Sequence, residues 1–458
     1  MNTKHIQHLY WRAGFGIAPD RLASLQNKSR REIVNQLFTE SDKFSPLSID
    51  LSEFASINSM ELFKDPKKLR QFVGRNLQRI KDFNYAWINR MSQSDEVLRE
   101  HMVLFWANHF VCRDSNVKFM QQLNNTIRKH ALGNFGDFVK AISKEPAMLK
   151  YLNNKQNVKR NPNENFAREL MELFTLGAGN YSEKDIKESA RAFTGYFHDF
   201  DGNFVLRPLQ HDRDIKRFFG KKGRFDGDDI IDIIIQERQC AKFICEKIYR
   251  YFVNDTVNAN HIEQMIAVFY SNYDIGGLMR FIFMSDWFYD DINRGIKIKS
   301  PVEFLVGINA VVPLSFNNKR HLLAIQKLLG QVLLDPPNVA GWKGGKSWIN
   351  SNTILLRLKL PSILLNGGFI SMKMKGEFND PLSGMIRDKL KQQNRFDVTP
   401  EWDIFENRFD GITREEMLGQ LIVSPLTYGT KRLINNLGKT SKQDHCIQLM
   451  SLPEYQMC

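Results

Sequence analysis

Glu164, Arg168 and Glu172 recur at intervals of four in NENFARELMELFTLG, residues 163–177. On an α-helix, which turns about 100° per residue, that spacing lines them up on one face, where the guanidinium can bridge both carboxylates. Asn165 and Glu169 share the arc, opposite Phe166, Leu170, Leu173 and Phe174. If buried, such an arc is a pre-organised polar site able to grip an acidic group or shuttle protons. If solvated, it contributes well under ~1 kcal/mol per pair. Spacing alone leaves both readings open. A di-metal carboxylate bundle asks for Glu-x-x-His pairs, and Glu169-x-x-Glu172 is not one, so no metal site is expected.

His109 differs in kind. In EVLREHMVLFWANHFV, residues 96–111, it continues an apolar stripe of Leu98, Met102, Phe105 and Trp106, where an aliphatic residue would be usual. It is either a core imidazole satisfied by a backbone carbonyl or a buried base with a depressed pKa. Further on, His211-Asp212 is followed by Lys216 and by Gly220-Lys-Lys-Gly223. These three side chains form either a site for an acidic group or a hydrogen-bonded turn.

Several familiar chemistries are excluded. PPNVAGWKGGKSWINSNTILLR, residues 336–357, imitates a phosphate loop, but Ala340 stands where its first glycine is needed and a proline-rich turn replaces the preceding strand. DFDGNF fails as a calcium loop, with Phe204 at its sixth position and Gln210 at its twelfth. There is no Gly-x-Ser-x-Gly elbow and no His-Glu-x-x-His zinc helix.

The elements that must position these residues are mainly helical. NFGDFVKAISKEPAMLKYL (134–152) repeats the helical period with a break near Pro146, and 163–177 reads as one helix ending on a left-handed Gly177. Ser182 with Asp185, and Ser300-Pro301-Val302-Glu303, are helix starts of the capping-box type. The best strand signal is YFHDFDGNFVLRPL (196–209), two short runs about Asp201-Gly202. The expected fold is therefore mainly α, a multi-helical bundle-like body with one small β-hairpin near 196–209. Residues 1–90 would be N-terminal helices packed on the core, 91–372 the main helical domain, and 373–458 a C-terminal helical region. The soft boundary would fall near 373–402.

The 458-residue chain carries a net charge of +13, concentrated at 67–81, 155–160 and 216–225. This suits acidic ligands or simply solvated faces, and no nucleic-acid motif accompanies it. The 34 phenylalanines point to an aromatic core. The five cysteines lack a Cys-x-x-Cys pair and fit reduced thiols. With no apolar N-terminal signal and no run long enough to span a bilayer, a cytoplasmic location is expected.

Taken in order, HLYWRAGFG (8–16), LREHMVLFWANHFV (98–111), NPNENFARELMELFTLGAGNYSEKDIKESARAFTGY (161–196), Gln210-His211-Asp212 with Lys216 and Gly220, SPVEF (300–304) and PPNVAGW resemble a large bacterial family known as domain of unknown function 1800. The resemblance makes PPNVAGW a family turn built around Trp342, which joins the candidate ligand-binding residues. It also implies, by association, a partner that looks like a phosphatase or sulfatase. Position 174 is Phe here, where relatives are expected to carry His, which closes a metal-ligand role at that position.

Three functions follow. The first is an accessory or binding protein acting with an acidic ligand or with that partner. The second is an unrecognised hydrolase, with His109 or Glu169 as acid/base and Arg168 and His211 holding an anionic group; Glu164, Asn165, Glu172, Asp212 and Lys216 complete its candidate ligand contacts. The third is nucleic-acid binding. No cofactor is identified.

Overall fold

The computed structural model describes residues 1–54, 64–367, 396–436 and 440–458. Its helices run α1 (Thr3–Ala13), α2 (Pro19–Leu25), α3 (Arg30–Asp42), α4 (Pro66–Gln93), α5 (Val97–His109), α6 (Val117–His130), α7 (Phe135–Ser143), α8 (Pro146–Tyr151), α9 (Asn165–Glu169) and α10 (Glu183–Ala192). After two hairpins come α11 (Gly227–Ile234), α12 (Arg238–Phe252), α13 (Ala259–Phe269), α14 (Ile275–Met284) and α15 (Pro301–Val311). The series closes with α16 (Lys319–Leu329), α17 (Ser351–Leu365), α18 (Trp402–Arg408), α19 (Arg414–Leu421), α20 (Tyr428–Asn436) and α21 (Lys442–Met450).

Among the described residues, strands form three antiparallel two-stranded ladders: β1 (Tyr196–His198) with β2 (Phe204–Leu206), β3 (Lys216–Phe218) with β4 (Lys221–Gly223), and β5 (Leu314–Phe316) with β6 (Val398–Pro400). The protein is mainly α with small hairpins. The expected 196–209 hairpin is present, and two further ladders accompany it. The second hides in a basic run, where Phe219 and Gly220 both take positive φ (46° and 73°) and so fold the chain back between Lys216–Phe218 and Lys221–Gly223. The third pairs strands more than eighty positions apart, and no local pattern announces it.

Local signals set many of the helix boundaries. Pro146 starts α8 after Lys144 ends α7. The Ser182 and Ser300 hydroxyls accept from the backbone N–H groups of Asp185 and Glu303, whose carboxylates accept in return from the cap N–H, as their sequences predict. The expected boundary near 373–402 lies largely outside the described residues.

Two compact units can be distinguished, each assembled from separated stretches: Ser29–Phe288 with Leu333–Lys343, and Met1–Lys28 with Tyr289–Val332 and Gly344–Cys458. The first contains every candidate residue named above. Its α5 is buried nearly all round and sits in the core, where Trp106 is fully buried and donates its indole N–H to the Ala131 carbonyl at 3.0 Å. Phe110, Phe135 and Phe138 pack around that indole, so several of the phenylalanines do serve an aromatic core. Glu100 and Arg128, both without exposure, make a two-pronged ion pair (2.7 and 3.0 Å) that ties α5 to α6.

In the second unit the last residues pair with the approach to α15: Lys297 and Cys458 exchange backbone hydrogen bonds. Lys299 is buried there between the rings of Trp11 and Tyr455 (3.4 and 4.0 Å from the ring centres). All five cysteines are buried and unpaired. Among the described residues no helix is long and apolar enough to cross a membrane.

Candidate functional site

The 163–177 segment does not form the single helix its period predicts. After α9 it widens into a π-helical turn, Leu170–Thr175. Thr175 donates its hydroxyl to the Leu170 carbonyl five residues back (2.6 Å), and Leu176 and Gly177 both donate backbone N–H to Met171 (2.8 and 3.0 Å). Gly177 ends the segment at φ +83°, as expected of a left-handed cap. A turn wider than 3.6 residues shifts every later side chain off the wheel.

This explains why the expected ladder is only half formed. Arg168 reaches Glu164 (3.4 Å) but gives its two-pronged contact to Glu183 of α10 (3.0 and 3.1 Å). Glu172 instead accepts from the Tyr181 hydroxyl at 2.7 Å. The Arg168 side chain is 38% exposed and that of Glu183 69%, so the pair is solvated. Asn165 is exposed as well. Glu169 is half-buried and without a hydrogen-bond partner among the described residues; burial and then Glu172 raise its pKa, against Arg168.

His109 is buried and fully engaged. Lys247, from α12, donates to Nδ1 at 3.2 Å; an ammonium can only donate, so the ring proton sits on Nε2, which donates to the Phe174 carbonyl at 3.0 Å. Lys247 also donates to the Leu173 carbonyl (2.8 Å). Gln239 and Asn180 donate to Leu176 (2.9 and 3.1 Å), so four side chains close the end of the π turn. Burial, and secondarily Lys247, hold the His109 pKa well below its ordinary value. Burial lowers that of Lys247 to about 8. The imidazole is thus the core histidine bonded to a carbonyl, with both nitrogens occupied.

The His211 group is also engaged internally, through His211 Nδ1, Asp212 and Lys216. His211 Nδ1 lies 2.8 Å from the Thr194 carbonyl, and Arg191 donates to Asp212 at 2.8 Å. Lys216 is fully buried and donates to the carbonyls of Asp212 and Asp214 (2.6 and 3.2 Å), so it pins a turn. Asp212 is held below the usual carboxylate range because hydrogen bonds from Arg191 and Asp214 outweigh its burial, which acts the other way. Trp342 has its own anchor: its N–H donates to Asn108 Oδ1 (2.8 Å) and its carbonyl accepts from Asn108 Nδ2 (3.0 Å). Gly341, at φ +73°, rests against the same asparagine, so the glycines of this stretch shape a turn.

Among the described residues no hydrogen bond or ion pair joins the Arg168, His109 and His211 groups, and no three His, Cys, Asp or Glu side chains gather as a metal cluster. The structure instead opens a pocket of about 230 Å³ elsewhere in this unit. It lies between the first turns of α4 and α6, the end of α8 with the Asn154–Gln156 turn, and the β1–β2 hairpin. Leu69, Phe72 and Phe119 line it together with Lys150, Lys155 and His198. Lys155 is half-buried and has no partner among the described residues. The 155–160 basic run and the 196–209 hairpin stand out in the sequence, but the four stretches that meet here are dispersed over more than 120 positions, and nothing in their order links them.

Fold and site together define a mainly helical protein with a small, aromatic-walled pocket that Lys155 lines. The chain belongs to the family described as Protein of unknown function (DUF1800), whose model matches residues 8–457. No curated protein and no solved structure matches it.

Proposed function

We propose that this protein is an accessory, ligand-binding protein that takes an acidic ligand and leaves bond-breaking chemistry to a partner. The observation that carries the reading is a contrast in engagement. Most of the groups able to serve as acid, base or anion holder in a hydrolase are engaged by the protein itself: both nitrogens of His109, Nδ1 of His211, and the side chains of Asp212 and Arg168. Lys155, by contrast, lines the pocket with no partner among the described residues. Burial raises the Glu169 pKa, yet among the described residues no base or nucleophile is hydrogen-bonded to it. A phosphatase- or sulfatase-like protein, which acts on anionic esters, is the partner we propose.

The test is turnover. The purified chain should hydrolyse none of a panel of nitrophenyl phosphate, sulfate, acetate and glycoside esters above background. Turnover that disappears in Glu169→Gln while circular dichroism is unchanged overturns the reading in favour of the hydrolase. Nucleic-acid binding is the weaker alternative; affinity for duplex DNA that falls steeply with salt is what would revive it.

A further inference from the structure

We infer that the pocket between α4, α6, α8 and the β1–β2 hairpin binds a monoanionic carboxylate with an apolar body, an aryl or short acyl acid. The inference deepens the proposed function and rests on it; what is added is the place and the ligand class.

Charge sets the first limit. Of the two lysines lining the pocket, Lys150 is already neutralised by Asp114, whose carboxylate it approaches at 2.5 and 2.7 Å. His198 is neutral: its Nδ1 lies 2.7 Å from the Asp199 carbonyl, and its Nε2 is buried without a partner, so a second proton would be costly. That leaves a single uncompensated positive charge, Lys155, held half out of water where its attraction for an anion exceeds that of a free surface lysine.

Donor count sets the second. The first turn of α6 faces the pocket, but its N–H groups are spoken for. Val117 donates to Asn76 Oδ1 (3.0 Å), and Lys118 and Phe119 donate to Asn116 Oδ1 (3.0 and 3.4 Å). A phosphate or sulfate ester presents three terminal oxygens and seeks several donors. Besides Lys155 only the neutral Ser115 hydroxyl and Asn116 amide remain as lining donors, and one ammonium with such neutral donors matches the two oxygens and single charge of a carboxylate better than a dianionic ester.

Shape sets the third. A volume of about 230 Å³ falls below the roughly 300–1,000 Å³ of drug-sized sites, so the ligand is small, on the order of ten heavy atoms. Leu69, Phe72, Val73, Phe119 and Phe200 make most of the remaining wall surface apolar. The Phe119 and His198 rings meet edge to face at 5.1 Å, and Leu69 and Phe72 line the α4 side. These surfaces suit a ring or short chain.

The experiment is calorimetric titration of the full chain with benzoate, octanoate, phenyl phosphate and benzyl alcohol. It is repeated in Lys155→Met, in Lys155→Arg, and in Val73→Trp, which narrows the pocket at an exposed lining position. Benzoate or octanoate should bind, weaken about tenfold or more in Lys155→Met, recover in Lys155→Arg and be lost in Val73→Trp. Phenyl phosphate binding through Lys155 more tightly than either carboxylate overturns the class and leaves the acidic-ligand reading standing. Binding of no anion, or binding of benzyl alcohol that Lys155→Met does not change together with carboxylates equally indifferent to it, overturns both.

Discussion

Lys247 Nζ stands 3.2 Å from Nδ1 of His109 and 2.8 Å from the Leu173 carbonyl, so one lysine orients the imidazole and closes a helix end at once. A cation at the C-terminal end of a helical segment is favoured by the carbonyls gathered there. The histidine that interrupts an apolar stripe therefore serves the backbone of the 170–175 turn, whose Phe174 carbonyl it satisfies.

His109 should stay neutral through the range near pH 6.5 in which an ordinary histidine charges. Its ring resonances, followed by NMR, would show no titration there. Because the folded pKa is depressed, the unfolded chain binds the additional proton, and His109 makes stability fall as pH drops through and below that range. Titration of this ring at its ordinary pKa would show that the buried, doubly bonded geometry does not persist in solution.

Glu145 gives the opposite sign. Its carboxyl is buried and accepts from Thr126 (2.6 Å), and burial raises its pKa to about 7 against the opposing influence of Thr126 and Gln122. The folded protein keeps this proton from about pH 4.5 to about 7, where the unfolded chain has lost it, so stability falls as pH rises across that window. Glu145→Gln should be more stable than the parent by roughly 1–3 kcal/mol at pH 8 and nearly equal to it at pH 4.5. Urea unfolding at the two pH values measures both.

Two ion pairs should behave very differently. Glu100→Gln strands the Arg128 guanidinium, which has no exposure, and should cost about 3–5 kcal/mol. Arg168→Ala removes a solvated pair and should cost less than ~1 kcal/mol, with no change in any ligand affinity. Equal losses in urea midpoint would contradict the burial assigned to each.

Gly341→Ala should destabilise by about 1–3 kcal/mol, since its φ of +73° is strained for alanine and the added methyl meets Asn108. Asn108→Ala should cost a similar amount by freeing both backbone groups of Trp342. The double variant should cost clearly less than the sum, because both changes act on one contact.

Much of this protein was legible in its sequence. The helical class, the 196–209 hairpin, the capping-box starts at Ser182 and Ser300 and the left-handed Gly177 follow from patterns a few residues wide, because capping and turn chemistry act between near neighbours, while the family follows from motifs in order along most of the chain. Tertiary structure decided the rest. A wheel at constant pitch could not foresee the π turn that sends Glu172 to Tyr181, and Glu183, which claims Arg168, belongs to the next helix. The partner of His109 lies 138 positions away on α12, and the pocket draws on stretches near residues 70, 117, 152 and 198. Burial and partnership are properties of the packed chain, and they settle whether a charged side chain is a cap, a solvated pair or a free ammonium facing a cavity.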